Sequence, residues 1–180
     1  RGLVNEMDWY VKFFGFTAAD VLPQKTIITF EDSIVELLLP ITLGGGGCVH
    51  LRPHYGITGD FPALFDWFRS VKATMLQFVP SIFDQLSADV PFEELTSIRA
   101  LVLSGGIVTR QFRYPFRVYN IYGNSECTAL STCFDMTEPT RLARVPVGRP
   151  IQNTAVYILD PEGRPSPFFV PGELHVGGDL

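Results

Sequence analysis

Apolar residues follow a helical period in four segments of the first 130 positions. In the first segment Leu3, Met7, Val11 and Phe14 lie near helical spacing, and Gly15 is placed to end the helix. The same period predicts three further helices, which are EDSIVELLLPITLGGGG (31–47), FPALFDWF (61–68) and PSIFDQLSADV (80–90).

Short apolar runs lie between these helices and predict β-strands. Several of them are continuous rather than alternating, which is typical of a parallel sheet whose two faces are both covered by helices. The sequence therefore predicts an α/β fold with a flavodoxin-like parallel sheet. The predicted strands are KTIITF (25–30), CVHLRP (48–53), ATMLQFV (73–79), SIRALVLSGG (97–106) and FRVYNIY (116–122).

The pattern changes after about residue 131, where no helical period follows. Three strand-like segments, TCFDMT, TAVYILD and GELHVGG, are separated by stretches rich in Pro and Gly. We predict an antiparallel, β-rich subdomain that forms part of a barrel. The expected division is a flavodoxin-like subdomain at residues 1–130 and the start of a β-barrel subdomain at residues 131–180.

Composition narrows the class of protein. A chain of 180 residues that is 46% hydrophobic and contains 15 Phe can bury a sizeable core. The net charge of −5, without a basic patch, argues against binding to nucleic acid or to an anionic membrane. Three cysteines without metal spacing favour a reduced, cytoplasmic protein, and no apolar run is long enough to span a membrane.

Polar residues follow three of the predicted strands directly. The segments are FEDS (30–33), LSGG (103–106) and IYGNSE (121–126). Ligands of doubly wound sheets bind beyond the carboxyl ends of the strands. We therefore expect these three segments to lie together at one edge of the sheet and to form a binding site.

Four segments together resemble motifs of the adenylate-forming superfamily, specifically the adenylation domains of nonribosomal peptide synthetases. FEDSIVELLLPITLGGGGCVHL resembles the pattern FDxSxxE…LxxG, and LVLSGG resembles the family's second strand-end motif. NIYGNSE resembles N-x-YG-x-[ST]-E, and VGRPIQNTAVYILDPEGRP…VPGELHVGG resembles GRP…VYxLD…GEL. The resemblance covers essentially the whole chain, in order.

The resemblance implies an enzyme that activates an acid for natural product biosynthesis. An amino acid or related carboxylic acid would react with ATP to give an acyl-adenylate and pyrophosphate, with Mg²⁺ stabilising charge. The acyl group would then pass to a phosphopantetheine thiol on a carrier protein beside neighbouring synthetase domains. The family's phosphate loop would precede Arg1, and its catalytic lysine would follow Leu180, so we expect residues 1–180 alone to be inactive.

The resemblance also implies roles for individual residues. Tyr122 would stack on adenine, Ser125 would contact a phosphate and Glu126 would hold Mg²⁺, the last two being the expected catalytic residues. Glycines let a backbone approach a flat ring closely. The full expected nucleotide edge is Gly105, Gly106, Ile107, Asn120, Ile121, Tyr122, Gly123, Asn124 and Ser125. Asn124 stands where the pattern often has Pro, and Ser125 where it commonly has Thr.

The expected acyl pocket is mostly apolar, which predicts a small-to-medium hydrophobic side chain on the substrate. Its residues would be Glu31, Asp32, Val35, Gln77, Val102, Ser104, Ile121, Ala129 and Leu130. The family pattern has Asp where this chain has Glu31, and Asp32 follows directly. A buried ammonium needs a charged partner, so Glu31 or Asp32 would pair with an amino group of the substrate. Alternatively, both acids only stabilise the N-terminus of a helix.

Two other functions remain possible at this stage. The first is an acyl- or aryl-CoA ligase of the same superfamily, although the acids at the pocket mouth would have no partner on a plain acyl chain. The second is a non-catalytic, flavodoxin-like binding module, which would not need the β-rich extension ending in GELHVGG.

Overall fold

The computed structural model describes residues 1–42, 47–51, 60–138 and 144–178. A helix forms at each of the four predicted positions, and strands form at most of the predicted positions. The second helix ends at Thr42, and residues 43–46 of its predicted range lie outside the described residues. In chain order the elements are α1 (Gly2–Phe14), β1 (Val21–Gln24), α2 (Asp32–Thr42), β2 (Cys48–Leu51), α3 (Phe61–Ser70), β3 (Met75–Phe78), α4 (Pro80–Asp89), β4 (Ala100–Leu103), β5 (Arg117–Tyr122), β6 (Thr132–Asp135), β7 (Arg149–Pro150), β8 (Thr154–Leu159) and β9 (Glu173–Gly178).

Helix ends follow from local sequence. Gly15 ends α1 in the left-handed conformation, at a φ of 60°, and its N–H donates to the carbonyl of Val11. Asp60 begins α3, because its carboxylate accepts a hydrogen bond of 3.0 Å from the backbone N–H of Ala63.

The main sheet has the strand order β3-β4-β5-β6-β7. Strands β3, β4 and β5 are parallel, whereas β6 and β7 are antiparallel additions. The parallel pair β1–β2 adjoins β3, where the Thr74 N–H donates to the Val21 carbonyl at 3.0 Å. These parallel strands and their helices confirm the α/β fold.

Strands β8 and β9 form a separate antiparallel pair. Strands β6 and β7 extend the sheet of the first subdomain, so hydrogen bonding between strands continues across residue 130. The division at that residue and the barrel both stay predictions.

Helices cover both faces of the sheet, as predicted, and each face has its own core. Helices α3 and α4 pack on one face against alternate strand residues such as Leu76 and Leu101. Helices α1 and α2 pack on the other face against the intervening residues, such as Met75 and Val102. We call these the α3–α4 face and the α1–α2 face.

The strand predicted at residues 25–30 is wrong. The strand ends at Gln24, and the following residues form a loop in which Ile28 is 74% exposed. Glu36 on α2 explains this, because its carboxylate accepts the backbone N–H groups of Lys25 at 3.0 Å and Thr26 at 2.9 Å. A strand partner would otherwise bind these groups. The predicted strand at 48–53 ends at Leu51, and its last two residues lie outside the described residues.

Candidate active site

A hydrogen-bonded cluster joins three residues predicted for the acyl pocket. Gln77 on β3 donates from Nε2 to Oδ1 of Asp32 at 2.7 Å and to Oγ of Ser104 at 3.1 Å. The Ser104 hydroxyl lies 3.2 Å from the second oxygen of Asp32, to which it donates. Asp32 begins α2, and Ser104 directly follows β4, so the cluster lies at the carboxyl end of the parallel strands.

Helix α1 also contributes a hydrogen bond to this cluster. The buried hydroxyl of Tyr10 lies 3.5 Å from Oε1 of Gln77 and donates to it. This contact leaves the amide nitrogen of Gln77 for Asp32 and Ser104, so the amide orientation follows from its partners. Burial raises the pKa of Asp32, and Lys25 and Ser104 oppose that rise.

A cavity of about 200 Å³ opens beside this cluster. Four predicted site residues line it, namely Glu31, Val35, Ser125 and Ala129, and its other lining residues are Leu3, Glu6, Ile34 and Thr128. Glu31 and Ser125 also line a second, more open depression of about 450 Å³, together with residues of the loop before α2. The segments FEDS and IYGNSE therefore meet at one site, although the strand predicted before FEDS is absent.

The remaining pocket residues lie in the protein interior. Val102, Ile121 and Leu130 are buried with Val35 in the core of the α1–α2 face. Their predicted contact with a substrate stays a prediction.

The predicted nucleotide edge lies at the carboxyl ends of β4 and β5. Gly105 has a φ of 72°, which glycine adopts without strain, and Ile107 is exposed. Tyr122, at the end of β5, is 37% exposed, so part of its ring is free for contact. Asn120 is buried and its side chain donates to the Pro146 carbonyl at 2.8 Å. The predicted role, which used the backbone of Asn120, stays a prediction.

The turn after β5 is closely packed and conformationally demanding. A Cβ atom on Gly123 would lie 1.9 Å from the carbonyl oxygen of Ala129, so only glycine fits at this position. Thr128 and Ala129 both have positive φ, at 56° and 66°. The turn is closed by the Ser131 N–H, which donates to the Tyr122 carbonyl at 2.9 Å.

This turn exposes Asn124, Ser125 and Glu126 to solvent. Glu126 lies in a short 3₁₀ turn, Ser125–Cys127, and none of the described residues pairs with its carboxylate. Within the described ranges, no three His, Cys, Asp or Glu side chains are grouped as a metal site. The roles of Ser125 and Glu126 toward phosphate and Mg²⁺ stay predictions.

Sequence reasoning missed Glu6, which α1 places against the cavity. It is 3% exposed, and its pKa is raised to about 8, chiefly by burial and then by the carboxylates of Asp32 and Glu31. A signal was available, because Glu6 lies three residues after Leu3 and four before Tyr10, on the apolar face of the helix.

No helix among the described residues is both long and apolar enough to cross a membrane.

Comparison with known proteins shows that the chain is similar to short stretches of large synthases. It is 29% identical to tyrocidine synthase 3 of Brevibacillus parabrevis, over 99% of its own length and 3% of that protein. It is also 29% identical to indigoidine synthase of Dickeya dadantii, over 99% of the chain and 12% of that protein. The chain thus spans only a small share of the length of these relatives.

Solved structures share the fold. The AMPPNP-bound form of the nonribosomal peptide synthetase FmoA3 matches with a TM-score of 0.86 at 23% identity, over 99% of this chain and 20% of that one. NpsA–ThdA, an artificially fused adenylation–PCP di-domain from Klebsiella oxytoca, matches with a TM-score of 0.80 at 23% identity, over 99% and 36%.

The sequence model of one family, described as AMP-binding enzyme, matches residues 2–180. The chain, with its polar cluster at the carboxyl edge of a parallel sheet, therefore belongs to the AMP-binding enzyme family.

Proposed function

We propose that the protein containing this chain activates an amino acid, or a related carboxylic acid, as an acyl-adenylate. The observation that carries the proposal is the bonding of Asp32 to Gln77 and Ser104 beside a cavity, within a chain of the AMP-binding family. The acyl group would then be loaded onto a carrier-protein phosphopantetheine thiol. Similarity to peptide synthetases and to an adenylation–PCP di-domain supports that partner.

Asp32 is well suited to receive the substrate's amino group. Its carboxylate is fixed by two donors, and burial makes an additional positive partner favourable. Glu31 lines the adjoining cavity and can take the same role. A hydroxy acid would leave these carboxylates without a positive partner. That cost would provide most of the selectivity for an amine over a hydroxyl.

The exposed edge would bind ATP. Tyr122 offers a partly free ring for adenine, and Gly105 and Gly106 carry no side chain that would obstruct it. The Glu126 carboxylate is exposed and unpaired among the described residues, which fits a hard cation that prefers oxygen ligands. Mg²⁺ held there would stabilise the negative charge of the phosphates. A cytoplasmic location stays a prediction.

Pyrophosphate exchange tests the proposal. The full-length protein would be assayed for ATP–pyrophosphate exchange with amino acids and with the hydroxy acids that replace the amine by a hydroxyl. Asp32→Asn and Glu31→Gln would be measured alongside Asp66→Asn, which makes the same chemical change on an exposed acid of α3. We expect amino acids to be preferred, and one of the two pocket variants to lower that preference by about 10- to 100-fold.

Three results would count against the proposal. Equal exchange with amino and hydroxy acids would remove the amino-group anchor. Acyl-CoA formation without loading of a carrier protein would favour an acyl-CoA ligase. If none of the acids supported pyrophosphate exchange, the proposed formation of an acyl-adenylate would be contradicted.

A further inference from the structure

Glu6 is a buried carboxylate that has no partner among the described residues. It is 3% exposed and lines the cavity of about 200 Å³, together with Glu31 and Val35. None of the described side chains donates a hydrogen bond to it or forms an ion pair with it. Its neighbour Asn5 differs, because that side chain bonds Gln152 at 3.0 Å and Asn153 at 2.8 Å.

The described groups around Glu6 disfavour its ionised form and include no free positive charge. Those that face it are acids or weak acids, namely Asp32, Glu31 and Tyr10. The hydroxyl of Tyr10 already donates to Gln77. The ammonium of Lys25 lies 2.7 Å from Glu36. An unpaired acid buried here destabilises the fold, so its presence needs an explanation outside the described contacts.

A metal ion does not provide that explanation. Glu6, Glu31 and Asp32 do not form a group that could hold a metal ion among the described residues. The cavity is also smaller than the roughly 300–1,000 Å³ of pockets for drug-sized ligands. A small organic cation fits these conditions better than a metal or a large ring.

We propose that Glu6 binds a second ammonium group on the substrate, which would make the substrate a diamino acid whose side-chain amine enters this cavity. This inference rests on the proposed function, in which Asp32 or Glu31 pairs with the first amino group. It revises the hydrophobic side chain expected from the sequence, since Glu6 was absent from that set of pocket residues.

Proton release provides a signature that a structural role would not give. The raised pKa of Glu6 means that its carboxyl group is largely protonated at pH 7 in the free protein. Pairing with an ammonium group favours the charged carboxylate, so substrate binding would release up to one proton at this pH. The release would shrink above about pH 8, where Glu6 is already ionised.

The test compares acids that differ only by a terminal amine. Ornithine against norvaline, lysine against norleucine, and 2,4-diaminobutyrate against 2-aminobutyrate would be assayed with the full-length protein by pyrophosphate exchange. For the best pair, kcat/KM should favour the diamino acid by about 10- to 100-fold. Glu6→Gln should remove that preference, whereas the control Asp66→Asn should keep it.

Binding is measured separately, so that the inference does not depend on turnover. Titration calorimetry of the best diamino acid, in two buffers of different ionisation heat, should show proton release with wild type and none with Glu6→Gln. Exchange with monoamino acids alone would overturn this inference and leave the proposed function standing. If no acid supports exchange, the proposed function fails, and Glu6-dependent diamino-acid binding alone would uphold the inference. Its absence would overturn it.

Discussion

The two faces of the main sheet are built from neighbouring residues but differ in chemistry. The α3–α4 face is packed with aromatic rings, among them Phe83, whose ring centre lies 4.9 Å from that of Phe92 and 5.0 Å from that of Phe112. The α1–α2 face also packs aromatic rings, such as those of Trp9 and Tyr10, but it buries the polar side chains of Glu6 and Gln77 as well.

Strand β3 shows how one sequence makes both faces. Leu76 and Phe78 point to the α3–α4 face, and Met75 and Gln77 point to the other. Successive side chains of a strand alternate between faces, so one strand contributes to the stability of one layer and to the chemistry of the other. This comparison predicts that substitutions on the two faces will change different measured quantities.

The largest effect on stability is expected from Phe83→Ala on the α3–α4 face. Phe83 is fully buried and its ring contacts several others, so its removal leaves a cavity. We expect the free energy of unfolding to fall by about 3–5 kcal/mol. Urea unfolding of the full-length protein measures this, and a loss below about 1 kcal/mol would show that this face is not tightly packed.

Gln77→Leu should lower activity more than stability. The change removes the donor that lies 2.7 Å from Asp32 and would let the anchor acid reorient. We expect kcat/KM for amino acids to fall by about 10- to 100-fold, since hydrogen bonds to charged groups contribute about 1.5–3 kcal/mol. The matched control is Leu76→Ala, next to it on the opposite face, which should lose stability and keep amino-acid preference. If Gln77→Leu and Leu76→Ala lost the preference for amino acids equally, the two faces would not differ in function as proposed.

Glu6 should make stability depend on pH. Its folded-state pKa of about 8 lies above the ordinary value of 4.5, so the folded protein holds this proton more tightly than the unfolded chain. The contribution of Glu6 to the free energy of unfolding is therefore greatest below about pH 4.5, and it decreases as the pH rises toward about 8. Between these two pH values, the free energy of unfolding decreases by at most about 1.4 kcal/mol per pH unit because of this group.

Unfolding of wild type and Glu6→Gln would be compared at pH 5, 6.5 and 8. The difference in free energy should shift in favour of the variant as the pH rises. Contributions from Asp32 are shared by the two proteins and largely cancel. A difference that stays constant across this range would mean that Glu6 is ionised throughout.

The smallest expected effect is at a helix end, away from the polar face. Asp60→Ala removes the carboxylate that accepts the Ala63 N–H at 3.0 Å at the start of α3. The free energy of unfolding should fall by about 1 kcal/mol, without change in substrate preference. Thermal unfolding and exchange assays check both points, and Asp60→Asn should retain most of the stability. A change in preference would connect this helix end to the site.

Local patterns predicted the helices and most strands because each depends on nearby residues. The period of Leu3, Met7 and Val11 is enough to define α1, and the continuous apolar run of β4 is enough to indicate a covered strand. The strand prediction at 25–30 failed because Glu36, which lies in the following helix, accepts the backbone N–H groups of Lys25 and Thr26. Propensity cannot report such a partner.

The site was predictable to a similar extent. Ser104 directly follows β4, so its place at the sheet edge could be expected from the strand pattern. Asp32 and Gln77 were expected there from the family resemblance, because Asp32 begins a helix and Gln77 lies within β3. The spacing of Glu6 from Leu3 and Tyr10 put it on the apolar face of α1, but spacing alone does not show which residues an acid on that face will meet. Only packing shows that α1 turns Glu6 toward Asp32, as the effect on its pKa reports.

The positive φ of Ala129 also bears on redesign of the cavity. Two wall residues, Val35 and Ala129, could each be enlarged to exclude longer ligands. Val35 lies in helix α2, where larger side chains are accepted by the backbone. At Ala129, with a φ of 66°, a β-branched replacement would add backbone strain to a turn that already holds Thr128 at a φ of 56°. The shape of this cavity is therefore more readily altered from helix α2 than from the turn.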